Sequence, residues 1–420
     1  MIKQKRVLLV AFHFPPLAGS SGIQRTLRFA QHLPKFGWQP LVLSANPIAY
    51  ERTTDDLNQK ISTDVVVRRA FALDAARHLA IGGRYIAALA RPDRWVSWRF
   101  DGVRQGMRMI RDFKPDVIWS TYPIATAHLI GAELQRRSGL PWIADFRDPM
   151  AQNGYPEDPL TWQAFKRIES RAVSQAALCT FTTPSAASEY RQRYPEAADR
   201  ISLIENGYDE DTFSQAEAFV DENPLNPGAF TLLHSGIVYP SERDPSHLIQ
   251  ALADLHQAGH IHPDRLKLRF RAAVAEDLLH RLAKEYGVSE YLQVLPAIPY
   301  QQALSEMLRA DGLLILQASN CNAQIPAKLY EYLRARRPMV CLTDPAGDTA
   351  ATLFAAGIRT VAPLDDVSKI AELLLNVTTP NSNSLLSIAS SQAVEGASRR
   401  GRTALLAELL DQLAKQGAPT

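Results

Sequence analysis

Short apolar runs bounded by turn-forming residues recur along the first half of the chain, separated by stretches with helical spacing. The predicted strands are residues 6–12, 39–43, 65–68, 116–120, 142–144, 178–182 and 200–204. Residues 24–36 and 125–137 have the apolar periodicity of helices. Strands that alternate with helices in this way are typical of a parallel sheet covered on both faces. The pattern therefore predicts a doubly wound α/β domain.

The same alternation restarts after an acidic segment rich in Pro, Asn and Gly. The predicted elements that follow are strands 230–239, 266–271, 292–295, 312–316 and 338–342, and helices 245–257, 277–286, 301–309 and one that begins at Pro326. We expect a first domain at 1–213, a linker at 214–229 and a second doubly wound domain at 230–377. Residues 378–420 should add a loose Ser/Asn-rich segment and a closing helix.

Composition limits the class of protein. A chain of 420 residues exceeds what one hydrophobic core usually serves, and its net charge of only +2 argues against a dedicated nucleic-acid binder. Cys179, Cys321 and Cys341 lack metal or redox spacing, so we expect reduced thiols and a cytoplasmic protein. The apolar run 7–12 is too short for a secretion signal, and no run is long enough to span a bilayer.

Ligands of doubly wound sheets bind at the carboxyl ends of the strands, so residues placed there are the first candidates. After the first strand, Gly19, Ser20, Ser21 and Gly22 precede a predicted helix. Small residues let the backbone approach a ligand closely, and the helix offers its positive N-terminal end. The spacing is not that of a dinucleotide-binding loop, so a structural tight turn remains the alternative.

Three charged residues follow the fifth strand of the first domain within four positions: Asp145, Arg147 and Asp148. Such a density of charge is unusual at the end of a buried strand. We expect polar groups that face a cleft between the domains. The alternative is a structural ion pair that closes the loop.

The helix predicted to begin at Pro326 combines an apolar face with charges in its first turn. Pro suits the first helical position, which would leave the next backbone N–H groups free to bind an anion. Lys328 adds a positive charge beside them, and Glu331 lies on the same face. The alternative is a solvated Lys–Glu pair on an ordinary helix.

Two residues after the first strand of the second domain complete this candidate site. Gly236 ends the apolar run, and Arg243 lies in the loop before the next helix. An arginine can clamp phosphate oxygens through two parallel hydrogen bonds. With Lys328 at another strand end of the same sheet, the pattern predicts a diphosphate site, and Glu331 would accept hydrogen bonds from sugar hydroxyls.

Other residues of metal-binding or nucleophilic type have a less promising context. They are His256, His260 and His262 around a glycine at a helix end, the buried Cys321, and the acidic pairs Asp55–Asp56 and Asp365–Asp366. The histidines straddle the helix end and the thiol has no evident base nearby. We interpret the acidic pairs as solvated turns and expect no bound metal.

Several segments together resemble a known family. They are FPPLAGSSGIQRTLRFAQHLPKFGWQPLVLS, LPWIADFRDP, ENGYDEDTF, HSGIVY and IPAKLYEYL. In this order, over almost the whole chain, they resemble a bacterial family-4 glycosyltransferase of the GT-B fold. The resemblance implies two Rossmann-like doubly wound domains that face each other across a cleft. It also implies sugar transfer from a nucleotide diphosphate donor with retention of configuration and without a bound metal.

The resemblance also suggests roles for individual residues. Gly19–Gly22 would face the donor diphosphate and the acceptor, and Arg147–Asp148 stands where many relatives have a His-Asp pair near the reacting sugar. The remaining roles are the end of the first domain at Asn206-Gly207, diphosphate binding by Gly236, Arg243 and Lys328, base contact around Ala297–Ile298, and ribose binding by Glu331.

Two departures from the family pattern concern the donor. Many relatives have a second glutamate eight positions before Glu331, where this chain has Ala323. Asn322 or Gln324 would then read the sugar. The arginine that usually follows the glycine of the phosphate loop is replaced by Ile237, so Lys328 would supply the second positive charge.

We therefore expect a metal-independent, hexosyltransferase-type enzyme that uses a nucleotide sugar as co-substrate and no cofactor. Its acceptor would be a glycan or lipid-linked molecule in surface polysaccharide or glycoconjugate synthesis. The rivals are a nucleotide-sugar epimerase of the same fold and a non-catalytic nucleotide-sugar-binding protein. Fold alone does not separate them.

A segment rich in Arg and aromatic residues suggests a second partner. Residues 77–114 interleave arginines with Tyr85, Trp95, Trp98 and Phe100. This mixture fits peripheral contact with an anionic membrane, at the inner face of the cell membrane. The alternative is a solvated helix face with the two tryptophans packed beneath it.

Overall fold

The computed structural model describes residues 4–20, 22–218, 220–221, 223–378 and 388–416. They form two compact units, Met1–Glu205 with Arg399–Thr420 and Asn206–Ser398. The division falls directly before the Asn206-Gly207 pair and thus earlier than the boundary expected after residue 213. The expected linker begins inside a helix, Glu210–Glu217.

The first unit contains a parallel sheet, and the part of the unit that the structure describes supplies seven strands to it. They are β1 (Lys5–Val10), β2 (Trp38–Ala45), β3 (Val66–Ala70), β4 (Val117–Thr121), β5 (Trp142–Arg147), β6 (Leu178–Phe181) and β7 (Ile201–Leu203). The order β3-β2-β1-β4-β5-β6-β7 is that of a Rossmann-like sheet. Its helices are α1 (Gly22–His32), α2 (Ala75–His78), α3 (Trp98–Phe113), α4 (Thr126–Ser138), α5 (Pro159–Gln175), α6 (Pro184–Arg193) and α15 (Arg399–Gln416).

The second unit repeats the architecture, with six parallel strands among its described residues. They are β8 (Phe230–Ser235), β9 (Leu266–Arg271), β10 (Leu292–Leu295), β11 (Gly312–Leu316), β12 (Met339–Leu342) and β13 (Val361–Ala362), in the order β10-β9-β8-β11-β12-β13. Its helices are α7 (Glu210–Glu217), α8 (Ser246–Gln257), α9 (Glu276–Glu285), α10 (Tyr300–Arg309), α11 (Lys328–Ala335), α12 (Asp348–Ala355), α13 (Val367–Thr378) and α14 (Ser391–Gly396). Both predicted doubly wound sheets are confirmed.

The strand order fixes where a ligand can approach each sheet. The order reverses between β1 and β4 in the first unit and between β8 and β11 in the second. A crevice opens at the carboxyl ends of strands at such a switch point. The loops that follow β1 and β8 carry the glycine-containing segments, so sequence and topology indicate the same edge in each unit.

The closing helix α15 belongs to the first unit, although it follows the second unit in the sequence. Leu406 and Leu410 are fully buried in the same hydrophobic cluster as Leu27 of α1. Asp411 accepts hydrogen bonds from Trp38 Nε1 at 2.8 Å and from Lys5 Nζ at 2.5 Å. The apolar side of α15 thus packs against α1 and the sheet of the first unit.

The predicted start of α11 was wrong by two residues. The helix begins at Lys328, with Ala327 in the preceding cap position. Leu329 donates its backbone N–H to the carbonyl of Pro326 at 2.9 Å. One of the N–H groups expected to be free for an anion is therefore used in a turn.

A buried ion pair in the first unit links α1, β5 and the chain that follows β7. Arg25 on α1 donates two hydrogen bonds to the Asp145 carboxylate on β5, Nε to Oδ2 at 2.9 Å and Nη2 to Oδ1 at 2.7 Å. The guanidinium also donates to the carbonyls of Ile204 and Glu205, at 3.0 and 3.2 Å. Both charged side chains are almost fully buried, with exposed fractions of 2% and 0%.

Removing one member of this pair should destabilise the protein strongly. We expect Arg25→Leu or Asp145→Leu each to lower the free energy of unfolding by about 3–5 kcal/mol, because the remaining charge stays buried without its partner. The double substitution should cost less than the sum of the two single changes. Chemical denaturation of the three variants measures these losses.

The exposed pair Arg104–Asp101 provides the matched control. It joins Nη2 and Oδ1 at 2.6 Å, but the arginine is 60% exposed. Arg104→Ala should cost less than about 1 kcal/mol. Strictly additive losses for Arg25 and Asp145, or a loss at Arg104 of similar size, would contradict the assignment of the buried pair.

Candidate functional site

In the second unit a glycine after the first strand makes room for a lysine from α11. Gly236 follows β8 and has a φ of +125°, a conformation that residues with a side chain rarely adopt. A Cβ atom at this position would lie 2.9 Å from Lys328 Nζ. Only glycine therefore lets the ammonium group approach the backbone of this loop.

His234 at the end of β8 holds the same lysine. Its Nδ1 lies 3.0 Å from the carbonyl of Leu314, which can only accept, so this nitrogen carries the proton. Its Nε2 is then the acceptor for Lys328 Nζ, at 3.0 Å. Burial and the nearby lysine keep the pKa of His234 well below its ordinary value, so the ring is neutral. Sequence reasoning missed this residue, although it stands in the HSGIVY segment.

Lys328 is half-buried and has a second positive group, Arg243, nearby. Burial, and then the charge of Arg243, lower the pKa of Lys328 to about 7, while Glu331 opposes this shift. Arg243 donates to the carbonyl of Ile237 at 2.7 Å and stacks over Tyr239 at 5.0 Å. The structure thus brings Gly236, Arg243 and Lys328 together, as the sequence predicted. Two adjacent positive groups favour binding of an anion.

The predicted base-contacting and ribose-binding segments also meet in the second unit. Ala297 is exposed and Ile298 is half-buried in the loop between β10 and α10. Tyr300, at the start of α10, donates its hydroxyl to Glu331 Oε1 at 2.5 Å. Ile298 lines a cavity of about 690 Å³ together with Arg271 and other residues. Glu331 therefore lies beside the loop expected to contact the base.

The two residues expected to bind the sugar differ in how their side chains are placed. Asn322 Nδ2 donates to Asp344 Oδ2 at 2.6 Å, and its Oδ1 lies 2.9 Å from where a Cβ of Gly347 would be. The carbonyl of Gln324 accepts from Gln317 Nε2 at 3.0 Å, while its own side chain is exposed. Asn322 is thus committed to the loop after β12, and Gln324 remains available.

The sequence interpretation required Asp145 to face an open site. In the structure of the first unit its side chain is enclosed. Its carboxylate is held by Arg25 and also accepts from Thr121 Oγ1 and Thr180 Oγ1, both at 2.7 Å. Although burial opposes ionisation, Arg25 and the two hydroxyls keep the pKa of Asp145 below its ordinary value. This corrects the catalytic assignment of Asp145, which forms a structural ion pair with Arg25 of α1 and not one that closes the loop.

Arg147, two residues further along β5, is displaced by a bulge. The register shifts between Asp145 and Arg147, and Arg147 has a φ of +62°. Its carbonyl accepts from Thr182 N at 2.8 Å. Burial and the charge of Arg25 lower the pKa of the guanidinium. Asp148 is exposed, with Oδ1 3.3 Å from Thr182 Oγ1, so only Arg147 and Asp148 of the predicted trio remain near an accessible edge.

His13 joins Arg147 to the glycine-containing loop and was not predicted. A Cβ at Gly22 would lie 2.5 Å from His13 Nδ1 and 2.9 Å from Arg147 Nη1. Ser20 Oγ is 3.1 Å from His13 Nδ1, and Gly19 has a φ of +80°. Burial and then Arg147 lower the pKa of His13 to about 4, so it is neutral near pH 7. Ser21 lies outside the described residues.

His13, Gly19 and Ser20 border a cavity of about 250 Å³, the His13 cavity, whose lining combines aromatic rings with polar groups. Its walls include Phe12, His13, Ser20, Tyr50, Glu51 and Trp95. Such a lining suits a sugar, because rings pack against its C–H faces while polar groups bond its hydroxyls. Elsewhere, no described group of three His, Cys, Asp or Glu side chains is arranged to hold a metal ion.

Comparison with known proteins gives this arrangement a context. Residues 21–207 match the family model described as Glycosyl transferase 4-like domain. No curated protein matches the sequence at a significant level. The family match covers most of the first unit, which carries the Gly22, Arg147 and His13 cluster.

Solved structures resemble the chain over nearly its whole length. Anabaena HepE in complex with UDP is 16% identical, covers 97% of this chain and 100% of its own, and has a TM-score of 0.62. A Rickettsia africae glycosyltransferase is 10% identical, with coverages of 99% and 100% and a TM-score of 0.66. A putative UDP-N-acetylglucosamine 2-epimerase from Listeria monocytogenes is 11% identical, with coverages of 98% and 97% and a TM-score of 0.55.

At these identities the likeness establishes the fold alone, and fold does not decide the activity. The family match is confined to residues 21–207. Residues 21–207 are thus similar to a glycosyl transferase 4-like domain, and the chain has the two Rossmann-like domains of the GT-B fold, as the sequence resemblance implied.

Proposed function

We propose that the chain transfers a hexosyl group from a nucleoside diphosphate sugar, with retention of configuration and without a bound metal. The observation that carries this proposal is the half-buried Lys328 ammonium near Arg243, in the space left by Gly236. A donor diphosphate is the anion whose charge these groups match. HepE, which shares the fold, was solved in complex with UDP, which supports a nucleotide donor.

The chemistry follows from where charge develops. As the bond between the sugar carbon and the diphosphate oxygen breaks, negative charge grows on the diphosphate. Lys328 and Arg243 would stabilise that charge, in a partly desolvated setting where electrostatic interactions are strong. Neutral His234 would fix the position of Lys328 by accepting one of its protons in a hydrogen bond. Glu331 and the 297–298 loop would bind ribose and base.

In the first unit, the His13 cavity is our candidate for the site that binds the acceptor. Arg147, Asp148 and the Gly19–Gly22 loop would lie at the reacting sugar, as the family resemblance implies. Neutral His13 can donate to one hydroxyl through one ring nitrogen and accept through the other. We propose a glycan or lipid-linked acceptor in surface polysaccharide or glycoconjugate synthesis, at the inner face of the membrane.

The epimerase and the non-catalytic binder predict different products. An epimerase would interconvert nucleotide sugars without an acceptor, and a binding protein would leave them unchanged. The test is to incubate the enzyme with UDP-glucose and related donors, with and without a lipid-linked glycan extract, and to follow products by NMR. Nucleoside diphosphate release that depends on the acceptor supports transfer, and acceptor-independent epimerisation would overturn it.

The first prediction for this site concerns charge. We would first measure how UDP, GDP, ADP and dTDP change the melting temperature of the protein, and use the one that raises it most in the binding experiments. Arg243→Ala or Lys328→Ala should weaken its binding by about 1.5–3 kcal/mol, because each removes a charge-assisted hydrogen bond. Calorimetric titration measures this loss. The corresponding nucleoside should bind almost equally to wild type and variants.

Lys369→Ala provides the control for this charge prediction. Lys369 is 61% exposed and pairs with Asp366, also in the second unit. Its replacement should leave nucleoside diphosphate affinity unchanged. Equal losses for nucleoside and nucleoside diphosphate at Lys328 or Arg243 would show that these residues do not bind phosphate.

A second prediction concerns pH. The pKa of Lys328 is about 7 in the free protein, and a bound diphosphate should raise this pKa. Lys328 should therefore take up a proton when the diphosphate binds. Affinity should be highest below about pH 7 and should fall by up to about tenfold per pH unit above it. Titration calorimetry in buffers of different ionisation enthalpy should detect the proton. Lys328→Met should bind more weakly with a flat profile, and a sloping profile in that variant would exclude Lys328 as the cause.

A third prediction concerns metal. Turnover should survive excess EDTA, because the positive side chains supply the charge that a divalent cation provides elsewhere. A rate assay with EDTA, followed by added Mg²⁺ or Mn²⁺, tests this. Loss of activity that either ion restores would make the metal-independent assignment wrong.

A further inference from the structure

An exposed apolar segment lies between β3 and α3 in the first unit. We define the apolar loop as residues 79–89. Its large apolar side chains have exposed fractions of 88% for Ile81, 67% for Ile86, 47% for Leu89, 41% for Tyr85 and 39% for Leu79. Every residue from 81 to 89 is exposed. Large apolar side chains clustered in this way mark interaction surfaces, whereas singly exposed ones are ordinary.

The backbone of the apolar loop is compact and not extended. Gly82 and Gly83 have positive φ values, +59° and +76°, and form a turn closed by an antiparallel bridge between Ile81 and Arg84. A short 3-10 helix, Ala87–Ala90, follows. The two glycines form the tip of the turn, Ile81 and Arg84 lie side by side at its base, and a Cβ built on either glycine would meet open space.

Charge within the apolar loop and the residues that flank it in the sequence has one sign, although Arg91 pairs with Asp158 at 3.3 Å. Residues 77–91 contain Arg77, Arg84, Arg91 and His78 and no Asp or Glu. Apolar tips next to arginines match the boundary of an anionic bilayer, where acyl chains take up apolar groups and headgroups attract cations. A surface for another protein of mixed charge would not require this exclusion of acidic residues.

The structure also corrects which part of the predicted segment is available. Trp98 is fully buried, and Trp95 is half-buried and donates its Nε1–H to the carbonyl of Ala49 at 3.1 Å. Trp98 thus belongs to the core, and Trp95 packs against the core at the wall of the His13 cavity. Phe100, 78% exposed at the start of α3, and the apolar loop supply the accessible apolar surface.

We propose that the apolar loop inserts into the interface of an anionic phospholipid bilayer and anchors the protein there. Ile81 and Ile86 enter the acyl boundary, and Arg84 binds headgroup phosphate. The flanking arginines join the loop to the rim of the His13 cavity: Arg77 donates to the Tyr50 carbonyl, and Arg94 pairs with Glu51 at 2.6 Å. Both partners line that cavity.

This connection has a consequence for the acceptor. An anchored loop holds the His13 cavity near the headgroups, where a lipid-linked acceptor carries its sugar. That consequence rests on the proposed function, whereas bilayer binding rests only on the surface. No helix among the described residues is long and apolar enough to cross a bilayer.

Vesicle sedimentation tests the proposal with the full chain. Wild type should bind vesicles of phosphatidylcholine with phosphatidylglycerol at low salt and should bind pure phosphatidylcholine vesicles more weakly. Ile81→Asp/Ile86→Asp should lose more than about tenfold in partitioning, because two apolar groups no longer enter the bilayer. Arg84→Ala should lose about fivefold, and only on anionic vesicles.

Leu160→Asp is the matched control, since Leu160 is 54% exposed at the start of α5, outside the apolar loop. It should sediment like wild type. The melting-temperature shift with nucleoside diphosphate should be the same in all variants, which shows that they are folded. A failure of donor binding together with intact vesicle binding would remove the proposed function but not the anchor.

Three results would overturn the anchor. They are no sedimentation of wild type with anionic vesicles at low salt, equal losses for Leu160→Asp and the loop variant, and self-association of wild type that Ile81→Asp/Ile86→Asp abolishes. The last result would make a second copy of the chain the occupant of the surface. Analytical ultracentrifugation of wild type and variant, without vesicles, provides that measurement.

Discussion

The buried pair of Arg25 and Asp145 is the interaction on which the candidate site of the first unit depends. It joins α1, which follows the glycine-containing loop, to β5, which carries Arg147, and to the chain at Ile204 and Glu205. Two charges in an apolar interior are tolerated only when each is fully hydrogen-bonded. This requirement fixes the direction of both elements at once. Arg147 can then emerge from the bulge toward His13 without a paired carboxylate to restrain it.

A charged side chain with a full set of partners and one without them therefore suggest different roles in this protein, one structural and the other in binding. Glu306 is nearly buried, and its carboxylate accepts from Arg269 and Arg271 at 2.7–3.0 Å, which satisfies it. Lys328, by contrast, donates to a neutral imidazole and has a second cation nearby. Its lowered pKa shows that the protein alone does not stabilise the ammonium fully. A bound anion would supply the missing interaction, which is why we assign binding to Lys328 and structure to Glu306.

The sequence predicted the sheets well, because both depend on local periodicity and on turn residues that a short window contains. It predicted Gly236, Arg243 and Lys328 together, because strand ends of one parallel sheet meet at one edge. It did not predict that Asp145 is enclosed, since its partner Arg25 is 120 residues away and nothing local distinguishes a paired from a free carboxylate. The packing of α15 on the first unit is equally non-local. His13 and His234 could have been found by asking which histidines lie near the carboxyl end of the first strand of each sheet.

The two units meet the same geometric problem in the same way. After the first strand of each sheet, a glycine stands where a side chain would collide with a cation. The distance from the ideal Cβ to the nearest cationic nitrogen is 2.9 Å for Gly22 and Arg147, and 2.9 Å for Gly236 and Lys328. A neutral histidine stands beside each cation, His13 in one unit and His234 in the other. A cation that served only to stabilise the fold would need a carboxylate partner more than it would need open space. Since each unit instead keeps space and a neutral neighbour around a half-buried positive charge, we propose that the glycines are part of binding sites and not simple turns.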